Sequence, residues 1–68
     1  MTIVLNGEAR ELPPGTTVRA LLAALDVPGG GNGVAVAVDA EVVPRGEWDT
    51  MELDEGARVE VLRVIQGG

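Results

Sequence analysis

The stretch TIVLNGEARELPPGTTVRALLAAL, residues 2–25, decides the fold. Thr2 to Leu5 alternates weakly and is rich in β-branched residues, which reads as a strand. Asn6-Gly7 follows, and both positions tolerate positive φ, the signature of a two-residue hairpin turn. Glu8 to Leu12 reads as the returning strand. Pro13-Pro14-Gly15 ends it, because proline has no N–H to give to a ladder. Thr16-Thr17 supplies a helix N-cap. Val18, Leu21, Leu22 and Leu25 then fall at i, i+3, i+4 and i+7, one apolar stripe on a helix of about three turns. Ala20, Ala23 and Ala24 fill the rest of that helix with strong helix formers.

Downstream, Val27-Pro28 and the run Gly29-Gly30-Gly31-Asn32-Gly33 stop the helix and form a loop. Val34 to Val38 is a short apolar run, consistent with a buried strand. Asp39-Ala40 turns the chain, and Glu41 to Val43 returns as a short strand that Pro44 places at a sheet edge. Arg45 to Leu53 is irregular and holds Trp48, the one aromatic residue of the chain. Asp54-Glu55-Gly56 is a turn. Arg58 to Val64 is the last strand, with Val59 and Val61 on one face. The order is therefore β-β-α-β-β-β. One helix with one apolar stripe must lie on one face of one sheet. The expected architecture is α+β: a mixed sheet of about five strands with one helix packed on one face. Residues 1–64 form the domain and residues 65–68 a flexible tail. The expected core is Ile3, Leu5, Val18, Leu21, Leu22, Leu25, Val36, Val38, Val59 and Val61.

Composition narrows the chemistry. The 68 residues carry a net charge of −6 and contain no Cys, His, Tyr or Phe. Ser and Lys are absent as well. Disulfides, zinc thiolate sites and a thiol nucleophile are excluded. So are an imidazole base and Schiff-base chemistry on lysine. The acidic balance argues against nucleic acid and against an anionic membrane surface. It favours a partner with a basic face. No apolar run approaches the roughly 20 residues of a membrane span. The opening MTIVLNGEAR lacks the pattern of a signal peptide, so a cytoplasmic protein is expected.

The reactive groups that remain are carboxylates, arginines, four threonines, the N-terminal amine and the C-terminal carboxylate, and the chain ends in Gly67-Gly68. By itself that pair fits a frayed terminus, where small residues are tolerated. Its place directly after an apolar strand points further. Such an arm, with no Cβ on its last two residues, can thread a narrow channel in another protein and present its terminal carboxylate. A free carboxylate is inert toward nucleophiles and becomes reactive when ATP converts it to an acyl-adenylate.

The chain resembles the ubiquitin-like β-grasp family and, within it, the ThiS-type sulfur carriers of thiamine biosynthesis. The resemblance rests on Leu5-Asn6-Gly7, on Thr17-Val18 with Leu21, Leu22 and Leu25, and on Val34 to Val38 leading to Val42-Val43-Pro44-Arg45. Trp48, Asp54-Glu55-Gly56, Arg58 to Val61 and the closing Val64-Ile65-Gln66-Gly67-Gly68 complete it. The Gly-Gly end is shared by all such carriers; Val-Pro-Arg and the following Trp are more particular to ThiS. The resemblance implies a carrier and co-substrate, not an enzyme, with no cofactor bound to itself. A ThiF-like adenylyltransferase would activate Gly68 with ATP and magnesium. A sulfur relay from a persulfide donor would turn Gly68 into a thiocarboxylate, and a ThiG-like thiazole synthase would take the sulfur. Gly67 and Gln66 belong to the arm, and the protein alone is expected to be a monomer.

Leu62 and Val64 fall on the helix-free face if the last strand alternates regularly. With Ile65 and Arg63 they would form a docking patch for these partners; a bulge would instead turn Leu62 or Val64 inward. Arg63 could hold an acidic partner group or solvate an edge. Trp48 reads as a satellite-core anchor. Arg45 fits a turn cap, with contact to a partner as the other reading. The Gly29 to Gly33 run lacks the strand-loop-helix setting and the Lys of a phosphate loop. Asp49, Glu52, Asp54 and Glu55 show no calcium-loop spacing and read as a solvated acidic face. Three rivals stay open: a MoaD-like small subunit of molybdopterin synthase, a ubiquitin-like protein modifier, and a β-grasp binding module with an inert tail.

Overall fold

The computed structural model of the chain describes residues 1–27 and 33–63. Thr2–Leu5 (β1) and Glu8–Glu11 (β2) form an antiparallel hairpin with Thr2 opposite Glu11 and Leu5 opposite Glu8. Its turn takes φ of +48° at Asn6 and +84° at Gly7, the left-handed pair that matches the twist of the flanking strands. Pairing runs one residue past β2, since Leu12 N–H donates to the Met1 carbonyl at 2.8 Å.

The helix is Val18–Ala24 (α1). Thr17 is its N-cap, with the hydroxyl oxygen accepting from Ala20 N–H at 3.1 Å. Val18, Leu21 and Leu22 are its buried residues. At seven residues it is shorter than the expected three turns. The stop comes at Asp26, which adopts φ +58°. Asp26 N–H then donates to the Ala23 carbonyl (3.1 Å) and Val27 N–H to the Leu22 carbonyl (3.3 Å). These two bonds are the Schellman closure, built here on aspartate where glycine is usual. The chain therefore leaves the helix before Pro28 and the glycine run, which lie outside the described residues apart from Gly33.

Val34–Val38 (β3) and Glu41–Val42 (β4) pair antiparallel across the turn at Asp39 (φ +50°) and Ala40 (φ +70°). Arg58–Arg63 (β5) closes the sheet, in which the strand order is β2-β1-β5-β3-β4. The last strand is thus central, parallel to β1 and antiparallel to β3. β4 is an edge, as Pro44 requires. This five-stranded mixed sheet with one helix on one face is the β-grasp arrangement.

The stretch between β4 and β5 is more ordered than its sequence suggests. Arg45–Glu47 forms a single 3-10 turn, and Thr17 bridges to Glu52. Residues 48–53 then serve the helix start. Val18 N–H donates to the Met51 carbonyl at 3.0 Å and Arg19 N–H to the Trp48 carbonyl at 2.9 Å. With the Thr17 cap, these bonds satisfy N–H groups that a helix cannot pair within itself. Trp48 anchors the stretch: it is 2% exposed, and its indole N–H donates to the Val43 carbonyl at 3.0 Å. The guanidinium groups of Arg19 and Arg45 lie over its ring, 5.2 and 5.5 Å from the centroid.

The core holds Ile3, Leu5, Val18, Leu21, Leu22, Val36, Val38 and Val59 as expected. Val43, Trp48, Leu53 and Ala57 join them. Leu25 and Val61, expected inside, are only partly buried. Leu25 is the helix C-cap, at the end of the buried stripe. Val61 lies toward the sheet end, two positions beyond Val59, which pairs with Leu5 where β1 stops.

Candidate functional site: the end of the central strand

The site of interest is where β5 gives way to the chain's last residues. Val64, Ile65, Gln66, Gly67 and Gly68 lie outside the described residues, so the structure bears on what holds and surrounds the strand before them.

On one side β3 pairs with β5 over its length, from Val38 opposite Val59 to Val34 opposite Arg63. The register has no bulge, so alternation is regular up to Arg63. Val36, Val38 and Val59 point under the helix and are buried. Leu62, Glu60, Ala35 and Ala37 therefore lie on the helix-free face. Leu62 is opposite Ala35 and is 59% exposed. Val42 pairs with Ala37, so it shares that face, and it is 75% exposed. Leu62, Ala35, Ala37 and Val42 form an apolar strip across three strands, with Glu60 beside it. The reading that places Leu62 outward holds. Val42 escaped sequence reasoning, although its alternation with the buried Val43, just past the two-residue edge strand, was the available signal. Arg63 is exposed at the strand's last described position.

On the other side β1 reaches only Leu5, opposite Val59. Asn6 continues the contact: its backbone N–H donates to the Val59 carbonyl at 2.9 Å. Its side chain bonds the Val61 backbone twice. Oδ1 accepts from Val61 N–H at 2.9 Å, and Nδ2 donates to the Val61 carbonyl at 3.3 Å. A shallow groove on the same side is lined by Val4, Asn6, Gly7, Arg58, Val59 and Glu60.

The other sequence candidates fall away from this end. Trp48 is a core anchor, and Arg45 opens the 3-10 turn beside it. The acidic residues do not converge. Asp49 pairs with Arg19 at 3.0 Å, and Glu55 accepts from the Thr2 backbone N–H at 3.1 and 3.3 Å. Among the described residues no group of three or more His, Cys, Asp or Glu side chains could hold a metal ion. Among them, too, no helix is long and apolar enough to cross a membrane.

The sequence profile of the ThiS family matches residues 3–68. The sulfur carrier protein ThiS of Escherichia coli (strain K12) is 34% identical over 68 residues, covering all of both chains. A thiazole synthase of Paramagnetospirillum magneticum is 35% identical over 68 residues, all of this chain but 20% of that protein. This chain thus spans one fifth of the length of that relative. The crystal structure of the thiamine biosynthesis protein ThiS from Geobacter metallireducens superposes with a TM-score of 0.86, at 30% identity and full coverage of both chains. A solution structure of a thiamine biosynthesis protein from the same organism gives 0.81 at 30% identity, covering all of this chain and 88% of the other.

Proposed function

The chain belongs to the ThiS family, and on that premise we propose that it is a sulfur carrier of thiamine biosynthesis whose reacting group is the Gly68 carboxylate. The observation that carries the proposal is full-length similarity to a sulfur carrier in a chain with no Cys, His, Ser, Lys or Tyr of its own. A carrier of this composition needs only its main-chain carboxylate. One carboxylate oxygen of Gly68 attacks the α-phosphorus of ATP, and pyrophosphate leaves. The outer sulfur of a partner persulfide then attacks the acyl carbon and AMP leaves. A second thiol of the partner breaks the resulting S–S bond, forming a partner disulfide and releasing the thiocarboxylate, so that sulfur replaces one oxygen. The nucleotide site, magnesium and persulfide cysteine belong to the partners: a ThiF-like adenylyltransferase and its sulfur relay. The carrier is a co-substrate and holds no cofactor. A thiazole synthase is the acceptor; similarity to one fifth of such a protein supports a shared pathway.

Leu62, Val42 and the two alanines between them supply the docking surface, with Arg63, Val64 and Ile65 leading to the Gln66-Gly67-Gly68 arm. The net charge of −6 favours a basic docking face on the adenylyltransferase and association that weakens with salt. The test is intact mass after incubation with a ThiF homologue, ATP, magnesium and sulfide. The mass should rise by one oxygen-to-sulfur exchange, and deletion of Gly68 should abolish the rise while leaving thermal stability nearly unchanged. An unmodified chain beside a partner shown to be active refutes the proposal. Attachment of the chain to other proteins would favour the modifier reading.

A further inference from the structure

We propose that Asn6 is a positioning residue: its side-chain amide fastens β5 at Val61 and so fixes the point from which the C-terminal arm departs. The inference rests on the carrier reading above.

The reasoning follows the parallel ladder. In such a ladder one strand's residue donates to the partner strand and accepts from it two residues further on. Val4 N–H to the Ala57 carbonyl and Asn6 N–H to the Val59 carbonyl, both 2.9 Å, set the register. Continued by two residues, that register would bring Val61 N–H to the Asn6 carbonyl and the Val61 carbonyl to the N–H of residue 8. Neither happens, because Asn6 sits at φ +48° and Glu8 already belongs to β2. A primary amide carries one carbonyl and N–H donors in the geometry of a peptide group. The Asn6 amide supplies both missing partners, at 2.9 and 3.3 Å. β5 is therefore held on both sides through Val61, and only by β3 at Leu62 and Arg63.

Five residues follow Arg63, the end of β5, a span of at most about 18 Å when extended. An arm of that length reaches a fixed point in a partner efficiently only if its root is fixed relative to the docking strip. Leu62, next to the clamped residue, is part of that strip. Without the clamp, docking must also order the end of β5, which weakens productive binding and leaves the chemistry untouched.

Asn6→Gly isolates the effect, because glycine accepts φ +48° freely and leaves the hairpin turn intact. In Asn6→Gly the Val61 amide should exchange with solvent about tenfold faster, and the Val36 amide at its native rate. The KM for the carrier in the ThiF-type adenylation assay should rise about three- to tenfold, with kcat within about twofold of native. Asn6→Asp keeps the acceptor for Val61 N–H and loses the donor, so its KM should lie between the two. An unchanged KM alongside a freed Val61 overturns the inference, as does an unchanged Val61 exchange rate or a fall in kcat alone. If the native chain is not adenylated at all, the carrier reading fails and this inference fails with it. A native chain that works beside an Asn6→Gly chain that works equally well sinks this inference alone.

Discussion

Replacing Trp48 by phenylalanine should destabilise the domain by about 2–3 kcal/mol, which is a large share of what holds it together. The indole N–H to Val43 carbonyl bond is buried, at 3.0 Å. Removing its donor leaves a buried acceptor unpaired, at a cost of about 1–2 kcal/mol. The smaller ring leaves a void beside Val43, adding about 1 kcal/mol. A chain of 68 residues has a total stability of about 3–10 kcal/mol. At about 4–8 °C per kcal/mol for a domain of this size, the midpoint should fall by about 10–20 °C. Trp48→Ala should cost more, about 3–5 kcal/mol, and lower the midpoint further. Far-UV circular dichroism is the assay, in thermal and urea scans, because Trp48→Phe removes the only indole fluorophore. Hydrogen exchange adds a local readout. Since the Trp48 carbonyl accepts from Arg19 N–H at 2.9 Å, the Arg19 amide in Trp48→Phe should lose protection before that of Val36. A Trp48→Phe protein within about 0.5 kcal/mol of native would refute the reasoning, because both mechanisms that set the magnitude would then be wrong.

Two non-glycine residues in the left-handed region offer stabilising changes. Asp26→Gly and Ala40→Gly should each raise stability by about 0.5–1 kcal/mol in the same urea scans. Relief of roughly 1–2 kcal/mol of backbone strain exceeds the extra freedom glycine gives the unfolded chain. Asp26→Gly also removes a carboxylate from the negative end of the helix dipole. Destabilisation by Asp26→Gly would mean that the aspartate side chain contributes to the closure. Leu62→Glu should leave the thermal midpoint near native, as for other exposed positions. It should weaken adenylation by the ThiF-type partner about tenfold or more, the effect of losing a docking anchor. Normal activation of Leu62→Glu would remove the strip from the docking surface.

The element order was legible because each element has a local signature. Asn6-Gly7 needs positive φ at both positions, and the Val18–Leu25 spacing fits only a helical period. The helix end was misplaced because an aspartate at C′ carries a weaker stop signal than the proline and glycines that follow it. Trp48 was recognisable as an anchor, but the bonds from residues 48–53 to the helix start were not. They join backbone groups about 30 positions apart, and backbone groups leave no mark on composition. Leu62 could be placed on the open face by counting alternate residues from Val59. The Asn6 amide on Val61 could not be foreseen, because a turn asparagine looks the same whether or not a distant strand lies within its reach.

The sequence by itself determined which segments are strands and helix and that Cys, His, Ser, Lys and Tyr are absent, and its resemblance to the ThiS-type carriers made the Gly68 carboxylate the candidate reacting group. The segments and the absences follow from residue identity and short-range periodicity. Only the tertiary structure decided that the last strand lies at the centre of the sheet, which residues share its open face, and that Asn6 clamps it at Val61. Strand order and cross-strand registry depend on pairings across more than 50 residues. Those pairings are chosen by the packing of the whole core and not by any local preference of the residues that meet.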